Sequence, residues 1–317
     1  MERYYRYSKY LREKYGVKTY KLPVNLPVTC PNRDGLLSEE GCAFCGEKGG
    51  GFDNLPSSVS VKEQLIKTKE YIGEKYGAEK FIAYYQTFTS SYLPLDKLLE
   101  YVAPALEIND IVEVSISTRP DCINQHYLKN LKDFIDKNSK GVNLSLELGL
   151  QTVNYRTLKE INRGHTLAEF IDAVLTARSN NVEVGVHLIL NLPGDNKIDA
   201  IENAKVLSAL KVDNVKLHAL YIREGSDFAG RYKEGKLEII SMDEYIERVI
   251  TFLEYLDPKI AVQRLLGRAP EENSLFVNWD HSWWKIHQLV LQEMKVRDTF
   301  QGKKFNYLQG KCLQKFI

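Results

Sequence analysis

The stretch VNLSLELGL, Val142–Leu150, sets leucine at every second position, with Ser145, Glu147 and Gly149 between them and Gln151 just after. Side chains of a strand alternate faces, so Leu144, Leu146, Leu148 and Leu150 share one side while Ser145, Glu147, Gly149 and Gln151 share the other. Working outward, strand-like runs recur at FIAYYQTF (81–88), DIVEVSIS (110–117), VEVGVHLILNL (182–192), NVKLHALYI (214–222) and KIAVQRLL (259–266). One more strand is expected before Cys30, within KTYKLPVNLPV. Between the runs lie segments with helical spacing of apolar residues: Leu95–Leu106, His126–Lys137, Leu167–Arg178, Ile198–Leu210 and Met242–Leu256. Strands that alternate with helices predict βα units around a parallel sheet. The expected fold class is α/β: a partial (β/α)6 TIM-like barrel over residues 1–260, carrying a loop at 29–52, then a C-terminal extension over 261–317.

The polar faces of these strands bear on function. Strands of a fully packed barrel are apolar on both faces. Here one face carries Glu113, Ser115 and Ser117, then Glu147 and Gln151, then His187, then Lys216 and His218. The barrel interior is therefore expected to be wet or to hold a ligand. An antiparallel sheet with one solvated face would give the same alternation, but the intervening helices call for crossovers.

Composition excludes several classes. The 317 residues carry 43 basic and 42 acidic side chains, a net charge of +1, so no global field attracts nucleic acid, although a local basic patch stays open. The N-terminus, MERYYRYSKYLREKYG, has no apolar signal-peptide region, and no window approaches the roughly 18 to 20 apolar residues of a membrane span. A cytoplasmic location without membrane attachment is expected.

The five cysteines are an odd number without a secretion signal, which favours metal or redox chemistry over a disulfide framework. Three of them fall in TCPNRDGLLSEEGCAFCGEKGGGF, Thr29–Phe52, with the spacing C-x11-C-x2-C. A CxxC pair turns both sulfurs inward, and Cys30 adds a third thiolate from the same loop. Structural zinc asks for four protein ligands, and no fourth Cys or His lies nearby. Three thiolates suit a 4Fe-4S cluster with one iron open to an outside ligand. A thioredoxin-like CxxC is the competing reading, although no strand precedes Cys42 and no helix follows it. Phe44 would shield the cluster, and Gly46, Gly49, Gly50 and Gly51 would let amides approach its sulfides.

CPNRDG and GCAFC, followed in order by STRPDC, ELGLQT, INRGHT and NLPGD, resemble the radical S-adenosylmethionine (SAM) superfamily, and within it the Elongator-like branch of YhcC/YtqA type. The likeness runs from about Tyr4 to Gly302. The superfamily's common CxxxCxxC spacing is departed from, as happens in the Elongator-like branch. The resemblance implies a 4Fe-4S cluster on Cys30, Cys42 and Cys45 that binds SAM and reductively cleaves it to a 5′-deoxyadenosyl radical. It implies a reductant protein of flavodoxin or ferredoxin type. It also implies tRNA as a partner, with wobble-uridine modification as the activity; a small-metabolite substrate and a non-catalytic iron–sulfur electron carrier remain alternatives.

The same resemblance implies SAM contacts at Gln86 or Thr87, Ser117, Arg119, Glu147, Gln151, Arg163 and Asn191. For Glu147 an ion pair with Arg119 or Lys216 is the alternative role. Lys216 and His218 face the interior as candidate acid/base groups, with His187 beside them. Cys122, in STRPDC, is a candidate hydrogen donor or covalent partner. In the tail, Arg264, Arg268, Lys295, Arg297, Lys303 and Lys304, with Trp279, Trp283 and Trp284, have a composition that binds RNA phosphates and stacks bases. Trp284 is alternatively expected to cap the core.

Overall fold

The computed structural model describes residues 2–46 and 54–316. Seven strands form a parallel sheet: β1 (Thr19–Val24), β2 (Lys80–Tyr85), β3 (Ile111–Thr118), β4 (Asn143–Gln151), β5 (Glu183–Ile189), β6 (Asn214–His218) and, after a break, β8 (Ala261–Arg264). They lie side by side in chain order, every neighbouring pair parallel and so joined by a crossover rather than a hairpin. The two outermost strands still meet across the interior, Lys21 Nζ of β1 donating to Gln263 Oε1 of β8 at 3.0 Å. Only a curled sheet brings its edges that close, so the architecture is a half-barrel. A small antiparallel pair, β7 (Ile222–Arg223) and β9 (Ser274–Phe276), stands outside it.

Among the described residues ten α-helices accompany the strands, most of them against the outer face of the sheet. They are α1 (Tyr7–Tyr15), α2 (Val61–Tyr76), α3 (Leu95–Leu106), α4 (Gln125–Asn138), α5 (Tyr155–Glu160), α6 (Leu167–Ser179), α7 (Lys197–Leu210), α8 (Asp227–Lys233), α9 (Met242–Tyr255) and α10 (Trp283–Val296). Local chemistry starts them where it should. Thr166 with Glu169, and Asn196 with Asp199, form reciprocal capping boxes at α6 and α7. Asn124 caps α4, whose Leu128, Leu131 and Ile135 repeat at helical spacing and bury against the sheet. The four alternate leucines of β4 are buried on that same outer side, each stabilising by about 1.5–3 kcal/mol.

Strand ends differ from expectation for visible reasons. β2 stops at Tyr85 rather than Phe88, because Phe88 takes a left-handed backbone (φ 44°). β5 stops at Ile189 rather than Leu192 and β6 at His218 rather than Ile222. There Asn191 Oδ1 accepts from Leu220 N at 2.6 Å, a side chain standing in for the next rung of the sheet. β8, which follows the expected boundary after residue 260, belongs to the same sheet and pairs with β6.

Sequence reading missed α1, which plugs the lower end of the half-barrel. Lys14 Nζ lies 2.9 Å from Glu113 and 2.6 Å from Glu183, while Tyr15 and Tyr10 donate to the same carboxylates at 2.5 and 2.8 Å. Burial opposes the charge on Lys14, but Glu113 and Glu183 outweigh it and hold its pKa above the ordinary lysine value. A raised folded pKa means that this contribution is complete at neutral pH and is lost only as pH climbs past the lysine range. Removing one partner of a buried pair strands the other charge. Lys14→Met should therefore cost about 3 kcal/mol in urea unfolding at pH 7, and less as pH falls and Glu183, whose pKa burial holds above the usual carboxylate value, protonates. Equal unfolding midpoints for Lys14→Met and the parent at pH 7 would contradict this role.

Candidate active site

Above the plug, the interior is filled by a second charged layer centred on Glu147. Its side chain, 3% exposed, receives Lys21 of β1, His187 Nε2 at 2.7 Å, Lys216 Nζ at 3.3 Å and Gln263 Nε2 at 2.5 Å. Burial alone would raise its pKa, but Lys21, Lys216 and His187 hold it well below the usual carboxylate range. Of the two ion-pair partners considered for Glu147, the structure pairs it with Lys216. Arg119 instead forks onto Asp121, with Nε and Nη2 at 2.8 and 2.6 Å. Burial pushes Lys216 down to about 7 despite Glu147, and its ammonium also reaches Tyr84 Oη at 3.1 Å.

The two histidines form an ordered pair. A carboxylate only accepts, so His187 Nε2 carries the proton, and its Nδ1 then accepts from His218 Nε2 at 3.3 Å. Burial lowers His187 to about 4 and His218 well below the usual imidazole value. Both rings are neutral, their protons fixed by this chain.

Over this layer opens a cavity of about 340 Å³, within the range of small-ligand sites. Its walls come from strand ends: Gln86 after β2, Ser117 and Arg119 at the end of β3, Gly149 and Gln151 at β4, Arg264 at the end of β8 and Gly267, Arg268 and Ala269 beyond it. Cys30, Cys42 and Cys45 hang over it from the loop after β1. The described lining includes six cations, Arg33, Arg119, Arg163, Lys216, Arg264 and Arg268, and no carboxylate. Burial and the Cys42 thiolate push the Cys45 thiol up to about 11. Metal cations bound at that sulfur would favour its thiolate. Among the described residues no three His, Cys, Asp or Glu side chains converge on a single ion. An iron–sulfur cluster does not require that, because it takes each thiolate on a different iron. Three thiolates, flanking guanidiniums and a carboxylate-free wall fit that group.

The segment INRGHT, residues 161–166, clamps the cysteine loop. Asn32 Nδ2 donates to Asn162 O at 2.5 Å, Asn162 Nδ2 to Gly41 O at 2.8 Å, and Ala43 N to Ile161 O at 2.9 Å. Arg163 Nη1 then stands 3.4 Å from Cys42 Sγ, while its Nε and Nη2 donate to Gly149 O at 3.2 and 2.7 Å. A Cβ on Gly149 would fall 2.8 Å from that guanidinium and 2.9 Å from the Gln151 amide, so only glycine lets both groups enter. Gln151 itself holds φ 76°, strain of the kind that gathers at functional sites. Arg163, expected to meet a SAM carboxylate, lines the cavity and directs three of its five donors to Cys42 Sγ and a backbone carbonyl.

Other expectations also shift. Thr87, Glu147, Asn191 and Cys122 are absent from the described cavity lining. Thr87 Oγ1 donates to Asn25 Oδ1 at 2.6 Å, and Asn191 closes the β5–β6 end. Cys122 faces a neighbouring cavity of about 690 Å³, its thiol raised to about 12 by burial and Asp121. Gly49, Gly50 and Gly51 lie outside the described residues. In the tail, Arg297 pairs with Glu247 and Glu293, Lys304 with Glu254, and Arg264 faces the cavity. Trp279 packs on Tyr245 and donates to Ile240 O at 2.7 Å, whereas Trp284, weighed as core, is 53% exposed. No helix among the described residues is long and apolar enough to cross a membrane.

A parallel half-barrel with a three-cysteine loop over the C-terminal ends of its strands defines a cluster-bearing barrel of the radical SAM type. The sequence pattern of the Radical SAM superfamily matches residues 25–207, and that of the Radical_SAM C-terminal domain matches 212–296. The chain belongs to the radical SAM superfamily. It is 33% identical to uncharacterized protein YtqA of Bacillus subtilis over 308 residues, 97% of this chain and 94% of that one. It is 31% identical to protein YhcC of Escherichia coli over 274 residues, 86% of each chain. The solved archaeal Methanocaldococcus infernus Elp3, lacking its N-terminus, superposes with a TM-score of 0.67 at 17% identity. That match covers 89% of this chain but 64% of the archaeal one, less than two thirds of its length, and shows a shared fold.

The placement of the cysteines sets a clear expectation. After anaerobic reconstitution, alanine at Cys30, Cys42 or Cys45 should remove bound iron, sulfide and the near-400 nm absorbance, while Cys122→Ala retains all three. Loss of the cluster in Cys122→Ala, or its survival in Cys42→Ala, would reassign the ligands.

Proposed function

We propose that this chain is a tRNA-modifying radical SAM enzyme that acts at the wobble uridine. The observation carrying this reading is the carboxylate-free, six-cation cavity beneath the three cysteines, a wall suited to an anionic cluster, the carboxylate of SAM and a phosphate-bearing substrate together. Cys30, Cys42 and Cys45 would hold the cluster, which with SAM supplies a 5′-deoxyadenosyl radical once a reductant protein of flavodoxin or ferredoxin type delivers one electron. Gln86, Ser117, Arg119 and Gln151 line the wall from which the amine, carboxylate and ribose of SAM would be held. Glu147 lies below the wall, so its part is to fix Lys216 and His187 rather than to touch SAM. Lys216, with its pKa near 7, is the interior group best placed to take or give a proton. The similarity to Elongator-type proteins supports RNA over a small metabolite.

With SAM and dithionite, the reconstituted protein should form 5′-deoxyadenosine, and Cys45→Ala should form none. Nucleoside mass spectrometry of tRNA from cells lacking the gene, before and after incubation with enzyme, SAM and reductant, should show one changed uridine derivative. A loaded cluster that never cleaves SAM would replace this reading with an electron carrier. SAM cleavage with unaltered tRNA nucleosides would favour a small-molecule substrate.

A further inference from the structure

Arg264 ends β8 and borders two spaces, the cavity under the cysteines and a lateral groove of about 730 Å³ between the sheet edges β1 and β8. Its surroundings are unusual for an enclosed guanidinium. Among the described residues no carboxylate reaches ion-pair distance of it, and Nε makes no hydrogen bond. Nη2 lies 2.8 Å from His218 Nδ1 and 3.3 Å from its Nε2. Such similar separations from both ring nitrogens set the cation over the face of an imidazole already shown to be neutral. A Cβ on Gly267 would fall 2.7 Å from the Arg264 Cζ, so the turn after β8 folds tightly around the guanidinium. An enclosed cation without an anion is costly, and a guanidinium's fork of donors suits a phosphate.

The groove indicates where that phosphate comes from. Arg6, Lys9, Arg12 and Lys18 line it, and Glu2 is the one carboxylate in its described lining. Trp283 and Trp284 border it at 39% and 53% exposure, Trp284 stacked on His287 with ring centroids 5.5 Å apart. Cations interleaved with aromatic faces suit single-stranded RNA, whose phosphates and bases need both. An enzyme that acts on a base draws that base out of its stack while the backbone stays at the rim. Arg264 stands at the rim, where groove and cavity join.

We infer that a single-stranded RNA segment lies in the groove between β1 and β8, and that Arg264 holds the phosphate of the nucleotide whose base enters the cavity. This rests on the RNA reading above and adds the route and the contact. The reconstituted protein is titrated with a synthetic anticodon stem-loop carrying a wobble uridine, by fluorescence anisotropy over a range of salt, alongside equilibrium dialysis of SAM. Arg264→Gln should weaken RNA binding roughly tenfold and reduce the salt slope by about one. Arg264→Lys should recover part of the loss, and SAM affinity should hold in both variants. RNA binding unchanged in Arg264→Gln overturns this contact and leaves the RNA reading standing; absence of RNA binding by the parent protein overturns both. Loss of SAM affinity with RNA binding intact would make Arg264 a SAM ligand and also overturn it. Should the variants fail to fold, phenylglyoxal labelling of the parent protein reads the same residue: the stem-loop, and not SAM, protects Arg264, and the reverse pattern or no protection overturns the inference.

Discussion

One carboxylate holds the half-barrel in its curl. Glu147 projects inward from β4 and meets Lys21 of β1, His187 of β5, Lys216 of β6 and Gln263 of β8. Hydrogen bonds between neighbouring strands fix a sheet's spacing but leave its curvature free; a charged centre gripped from both edges sets it. Desolvating Glu147 is expensive, and two ammonium groups, an imidazole and an amide offset that cost. Lys14 repeats the scheme with the sign reversed one layer down, a single cation between Glu113 and Glu183.

The electrostatics of the cavity follow from this layering. Because Glu113, Glu147 and Glu183 are consumed below, and Asp121 is turned onto Arg119, the space above keeps its cations and shows no carboxylate in its described wall. A thiolate-ligated cluster places several negative charges there, and burial pushes the Cys45 thiol up to about 11. The positive wall and the cysteine loop are thus complementary, and Arg163, touching both Cys42 Sγ and the β4 backbone, connects them.

The strands were legible because period-two alternation survives in a sheet with one polar face. The inward sets at Glu113, Glu147, His187, Lys216 and His218 all point where their phase places them, and the cysteine spacing marked the cluster loop. What could not be read were contacts made across long separations. Asn32 meets the backbone of Asn162 130 residues away, and no local pattern announces it. The helix α1 escaped notice since Leu11 is its one buried residue and the half-buried Tyr10, Lys14 and Tyr15 beside it read as solvated until two carboxylates are found beneath them. Two of the tail cations were misjudged in the opposite sense: Arg297 and Lys304 read as free charges, but Glu247, Glu293 and Glu254 pair with them at the helix surface. Composition counts charges without their partners.

The N-terminal segment therefore has two roles that one sequence must satisfy together. Its inward side fills the base of the half-barrel, and its backbone covers the β8 edge, Val262 N donating to Tyr5 O at 2.8 Å, which removes an edge open to pairing with another chain. Its outward side lines the lateral groove with Arg6, Lys9 and Arg12. Because the helix docks through Lys14, Tyr10 and Tyr15, the positions of those outward cations are fixed by the same buried charges that stabilise the fold. Anything that loosens the plug also displaces the groove's basic wall, so the stability of the fold and the shape of the groove are coupled through α1.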